Sequence, residues 1–195
     1  MSKSERTRQF IIEQSAPIFN SKGLAGTAMS DVMAATKMAK GGLYGHFDSK
    51  DALSYAVVDY SLSQIVSRVN EAICSADTAK QKLFNFLEVF ATPMQFPVEG
   101  GCPILNFGTE ADDTSPIIRK KVKGTILSAQ AKIENIIEAG IKTAEFKSGF
   151  DARSFSVKMM TLIEGGTLIG RILETNDQMQ LVIEILKKEI ADQLR

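Results

Sequence analysis

Lys40-Gly41-Gly42-Leu43-Tyr44-Gly45-His46-Phe47-Asp48-Ser49-Lys50 is the stretch on which the reading of this chain turns. Three glycines fall within residues 39–47. Each costs a helix roughly 1 kcal/mol relative to alanine, so a purely structural helix seldom carries them. Glycine also lets a backbone come close to a phosphate or a base edge. Leu43 and Phe47 are four apart and anchor the segment to a core. Lys40, Tyr44 and His46 then face outward, each able to donate to phosphate. The pattern predicts a short helix over 39–47.

Just upstream, Val32, Met33 and Ala35 predict another short helix, with Thr27 and Ser30 as its candidate caps. A tight turn at Thr36-Lys37-Met38 joins the two. Such a pair forms a helix-turn-helix, whose second helix can lie in the major groove of DNA. Further upstream, Phe10, Ile11, Ile12, Ala16 and Phe19 fall on helical stripes. That helix is expected to bend at Pro17 and to close at Gly23. Downstream, Ser49 caps a long helix starting at Lys50, with Leu53, Val57, Tyr60, Ile65 and Val69 on its inner stripe.

The remainder is helical as well. A helix over 79–92 follows the cap at Thr78. Pro93 to Pro97, with Gly100 and Gly101, marks the clearest non-helical stretch. Pro103 starts a helix to Ala111, and Pro116 starts a long one to about Phe146. Helices over 152–174 and 178–194 complete an all-α chain of about nine helices. The division expected is a helix-turn-helix domain over 1–50 and a helical effector-binding and dimerisation domain over 51–195.

The chain has 195 residues, with 23 basic and 23 acidic side chains and 44% hydrophobic residues, so wholesale disorder is excluded. The even balance hides an asymmetry. Residues 1–50 hold seven basic against four acidic side chains, a surplus of three that the rest reverses. A basic head on a mildly acidic body points to a nucleic-acid partner for the head. No apolar run is long enough to span a membrane and no apolar signal core follows Met1, so a cytoplasmic protein is expected. Cys74 and Cys102 cannot make a disulfide scaffold, no Cys/His pair has zinc spacing, and no cofactor is expected. One histidine, no phosphate loop and no Gly-x-Ser-x-Gly leave an enzyme with little support.

Residues from Thr7 to Leu53 resemble the DNA-binding domain of the tetracycline-repressor family of bacterial regulators. The resemblance rests on Thr7-Arg8, Lys22-Gly23, Thr27, the stretch from Lys40 to Phe47, and Ser49-Lys50. Two positions depart from the family pattern. Ala39 stands where serine or threonine is usual, and Gly42 where a base-reading side chain is common. The resemblance implies phosphate contacts at Thr27, Lys40, Tyr44, His46 and Lys50, and base or groove contacts at Lys37, Gly41 and Gly42. It implies a homodimer through the last two helices, bound to double-stranded operator DNA, and a repressor released by a small apolar or electrophilic effector. Gly165, Gly166 and Gly170 would let helices approach closely. Met179, Val182, Ile183, Leu186 and Ile190 give the last helix a broad apolar stripe.

Phe84, Phe90, Phe107 and Met159 are suited to an adaptable apolar effector pocket, and core packing fits each of them equally well. Cys102 precedes a helix, where the dipole lowers a thiol's pKa. Its Gly-Cys setting is weakly similar to the subgroup that includes the N-ethylmaleimide-responsive repressor, which implies sensing of electrophiles and oxidants; tight packing is the other reading. Glu110, Asp112 and Asp113 admit a cation site, but capping and solvation of a helix end is the favoured reading. The alternative function is a helical small-molecule-binding protein that no longer binds DNA.

Overall fold

The computed structural model describes residues 1–92 and 94–195. Pro93, which opens the expected loop, lies outside the described residues. Among those described, the chain forms nine α-helices and one isolated antiparallel bridge, between Phe146 and Leu194. The helices are α1 Lys3–Gly26, α2 Met29–Thr36, α3 Lys40–Tyr44, α4 Lys50–Cys74, α5 Ala79–Glu88, α6 Pro103–Ala111, α7 Pro116–Lys142, α8 Ala152–Ile172 and α9 Asp177–Asp192. They pack as two compact units. One holds residues 1–65 and 96–123, the other 66–95 and 124–195.

In the first unit, α1 opens with a capping box. The Ser2 hydroxyl accepts from the Glu5 amide at 3.2 Å, and the Glu5 carboxylate accepts from the Ser2 amide at 2.6 Å. Ile11, Ile12, Ala16 and Phe19 are buried as the stripe predicts, whereas Phe10 is exposed. The non-helical residue inside α1 is Gly23 (φ 79°, ψ 171°) rather than Pro17. Neither Thr27 nor Ser30 caps α2. Ala28 holds that position, and its amide donates to the Asp31 carboxylate at 3.0 Å. The helix over 39–47 is shorter than expected. The His46 and Phe47 amides share the Leu43 carbonyl, both at 3.0 Å, so the chain tightens into a turn after Tyr44. Ser49 caps α4 by accepting from the Ala52 amide at 3.0 Å.

Gly100 and Gly101 both take positive φ, at 112° and 109°. A Cβ on Gly100 would stand 2.7 Å from the Ser21 hydroxyl and 2.8 Å from the Asn20 backbone. Gly100 therefore lets the loop press against α1.

The second unit begins α5 with a local cap, the Thr78 hydroxyl accepting from Gln81, and a remote one. The Glu145 carboxylate accepts from the Ala79 and Lys80 amides, each at 2.8 Å. The α5 helix stops at Glu88, short of residue 92, because the Phe90 amide turns back to the Leu87 carbonyl. The α7 helix stops at Lys142, short of Phe146. Ala144 turns left-handed (φ 61°) and the Glu145 and Phe146 amides both close on the Gly140 carbonyl. Phe146, Phe150 and Phe155 then stack edge to face, with ring centroids 5.4 and 5.1 Å apart. The Asp151 carboxylate caps α8 through the Ser154 amide. Gly166 of α8 lies under Met179 and Val182 of α9. Met179, Ile183, Leu186 and Ile190 are buried in the chain's own core, so most of the α9 stripe is intramolecular.

Candidate nucleic-acid interface

The helix-turn-helix forms because three short-range devices act together. The Thr36 hydroxyl donates to the Val32 carbonyl at 2.7 Å and ends α2. Lys37 takes the left-handed conformation (φ 57°, ψ 24°) that turns the chain toward α3. Leu43 and Phe47, 1% and 3% exposed, pin α3 to the first unit's core. The Arg8 guanidinium stacks over the Phe47 ring at 4.6 Å, which ties the start of α1 to the end of this motif.

The outer face of α3 carries Lys40, Gly41 and Tyr44, all exposed, with Gly42 exposed beside them. Lys40 lies over the Tyr44 ring at 5.8 Å, so the two can present their donors side by side. His46 is half-buried. Around Gly41, a Cβ would meet nothing within 4 Å, whereas on Gly42 it would meet the Met38 methyl at 3.2 Å. Packing therefore does not call for glycine at 41. Lys37 is exposed at the turn, and Lys50, half-buried, donates to the Ala25 carbonyl at 3.3 Å. Thr27 is 2% exposed, and its hydroxyl donates to the Gly23 carbonyl at 2.7 Å, so that proton is turned inward in this conformation.

Six of the eight expected positions thus lie at the α2–α3 turn, on α3 and at the start of α4, His46 lies in the turn that follows α3, and Thr27 sits apart at the corner before α2. Arg8 and Glu110 complete the arrangement, and sequence reasoning gives neither this role. Glu110 accepts from the Leu24 and Ala25 amides at 2.5 and 2.6 Å rather than serving its own helix end. The separations of 86 and 85 residues give no local signal for it.

The expected effector residues fall in both units. Phe107 is fully buried in the first unit. Phe90 and Met159 are buried in the second, where Phe90 stacks on Phe86 at 5.7 Å. Phe84 is half-buried beneath two ammonium groups, those of Lys80 and Lys187, at 5.4 and 5.3 Å. A cleft of about 920 Å³ in the second unit is lined instead by Asn70, Ile73, Cys74, Lys82, Lys132 and Ile136, among others. Cys102 is 1% exposed, whereas Cys74 is exposed. No helix, among the described residues, is long and apolar enough to cross a membrane.

Residues 11–57 match the family model described as bacterial regulatory proteins, tetR family, and residues 79–186 match the tetracyclin repressor-like C-terminal domain. A solved TetR transcriptional regulator from Chloroflexus aurantiacus is 35% identical, with 100% of this chain and 99% of that one covered and a TM-score of 0.95. The transcriptional repressor DhaR of Mycobacterium sp. is 28% identical over 59% of this chain and 57% of its own length, so the match spans little more than half of that relative. The structure of reduced E. coli NemR, at 17% identity and a TM-score of 0.81, covers 94% of this chain and 97% of its own. That likeness is one of fold alone. The family models describe, and the Chloroflexus protein and DhaR are, transcriptional regulators rather than enzymes, and the chain belongs to the TetR family of DNA-binding bacterial regulators.

Proposed function

We propose that the chain is a homodimeric repressor. Residues 1–50 bind operator DNA; residues 51–195 take up a small apolar effector and pair with a second copy. The observation that carries the DNA contact is the outer face of α3. It is exposed, bears Lys40 and Tyr44, and carries at Gly41 a glycine that packing does not require. Lys40, Tyr44, His46 and Lys50 serve the phosphates on this reading, while Lys37, Gly41 and Gly42 face the groove. Few side chains there can read bases, so part of the specificity comes through DNA shape. Thr27 supports the contact by holding the corner before α2.

The pairing is supported by the outer surfaces of α8 and α9. Val157, Gly165, Leu168 and Ile172 lie on α8 at helical spacing and are all exposed. Leu181 and Ile185 are exposed four residues apart on α9. A monomer leaves such a surface wet, and a second copy covers it. Repression has its support in the relative named a repressor. An effector that favours a DNA-incompetent conformation lowers operator affinity by a coupling of about 1–3 kcal/mol. The burial of Cys102 favours a non-covalent apolar effector over an electrophile, because a reactive thiol has to be reached.

Titrating the protein against duplex DNA flanking its own gene, at several salt concentrations, tests the proposal. Two phosphate-facing lysines per head, Lys40 and Lys50, in a dimer predict a slope of log affinity on log salt of about −4. Binding with no salt dependence, or none at all, overturns it.

A further inference from the structure

We propose that Glu110 is a positioning residue for DNA binding: from α6 its carboxylate holds the corner that sets where α2 and α3 lie. This rests on the DNA-binding reading above. The corner starts at Gly23, whose angles break α1. Immediately after the break, the Leu24 amide donates to Oε2 of Glu110 and the Ala25 amide to Oε1, at 2.5 and 2.6 Å. Two successive main-chain N–H groups converge on one anion, a charge-assisted arrangement stronger than neutral hydrogen bonds. A Cβ at Gly23 would stand 2.7 Å from Oε2 of Glu110. Glycine is required there twice, by its φ of 79° and by the carboxylate.

The remaining groups of the corner are also engaged. Lys50 donates to the Ala25 carbonyl and Thr27 to the Gly23 carbonyl. Asp31 accepts from the Ala28 amide and from Lys22. The segment between α1 and α2 is therefore held by α6, α4 and α2 together.

The other end of α6 is fixed to α1 as well. The Asn106 amide group donates to the Asn20 carbonyl at 2.9 Å and to the Gly100 carbonyl at 3.0 Å. Asn20 in turn donates to the carbonyls of Glu99 and Gly101, at 3.0 and 2.9 Å. A nine-residue helix about 13 Å long is thus attached to α1 at both ends. Its C-terminal attachment lies about one turn before α2. Wherever α6 puts the Glu110 carboxylate, the start of α2 and its partner Lys50 follow.

Glu110→Gln tests this in the full-length protein. It keeps the shape, removes the charge and turns one acceptor into a donor facing a main-chain N–H. The expected result is an operator affinity lowered about tenfold, the scale of one charge-assisted hydrogen bond. The salt slope stays at the wild-type value, because the phosphate contacts are unchanged in number. Hydrogen exchange at the Leu24 and Ala25 amides accelerates while that at Leu43 does not. Gly23→Ala displaces the same carboxylate, so the double variant should bind no worse than the weaker single one. Wild-type affinity and wild-type exchange at 24 and 25 in Glu110→Gln overturn the proposal. So does an affinity loss explained by a smaller folded fraction, or one that adds fully to that of Gly23→Ala. If the wild-type protein binds no operator, the parent reading fails and this one with it; if it binds and Glu110→Gln binds equally, this one fails alone.

Discussion

At Gly41 a helix carries a residue that its own packing does not need. The position is exposed and open for 4 Å around a would-be Cβ. Gly41→Ala should therefore raise folding stability, by up to about 1 kcal/mol. The same methyl would stand where the backbone is expected to meet DNA, so operator affinity should fall. Urea unfolding and a DNA titration on one preparation check both halves. A variant that is more stable yet binds as well as the wild type would remove Gly41 from the contact. The anchors on the opposite face, Leu43 and Phe47, are readable in the sequence because four-residue spacing places two side chains on one helical face. Thr27 and Glu110 are not. The direction of the Thr27 hydroxyl depends on the positive φ at Gly23, and the partners of Glu110 lie 85 and 86 residues away. Residue type alone makes Phe84 a pocket candidate. The cations over its ring, one of them from α9, have no signature at that level.

Among the helices, those with a strong start signal are the most legible. Pro103, Pro116, Ser49 and Thr78 each mark a first turn or cap, and α6, α7, α4 and α5 begin where those residues predict. Ends are harder, because closing hydrogen bonds such as those onto the Leu43 and Gly140 carbonyls are set by three-dimensional packing. The start of α2 is the instructive exception. With Ala28 in the cap position, the helix relies on Asp31, whose carboxyl is held below its ordinary value of 3.8. The largest cause is the Lys22 hydrogen bond, followed by that from the Ala28 amide. A depressed folded-state pKa contributes stability that is fully present above 3.8 and is lost as pH falls through the folded value. Asp31→Asn should therefore be less stable than the wild type near neutral pH. The gap should close as pH falls below 3.8 and on through the folded value, where both states of the wild type become protonated. Thermal midpoints across that range decide it. A gap that stays constant with pH would mean that the substitution costs packing rather than charge.

For the whole molecule, the even charge balance and the exposed apolar surface of the second unit belong to one arrangement. A head with a surplus of three positive charges has limited affinity for DNA by itself, and pairing two heads multiplies what each contributes. On the proposed reading, dimerisation comes from the acidic body, where apolar area rather than charge drives association. The sequence points to the last two helices, and on α9 the stripe of Met179, Ile183, Leu186 and Ile190 is consumed in the chain's own core. The side chains left for a partner are those exposed on the outer faces of α8 and α9. Ile172 and Leu181, 70% and 56% exposed, are two of the largest. Replacing both with glutamate should leave each chain folded, since neither supports its interior. It should place four unpaired carboxylates in the interface of any dimer. Sedimentation should then report a species of 21.3 kDa in place of one of twice that mass. Operator affinity should fall by about 100-fold or more, because the second half-site is no longer an intramolecular partner. The residual binding should keep about half the wild-type salt slope, since one head still meets its phosphates. A double variant that sediments as a dimer would move the interface elsewhere. A wild-type protein that sediments at 21.3 kDa under binding conditions would leave the exposed faces of α8 and α9 for a different partner.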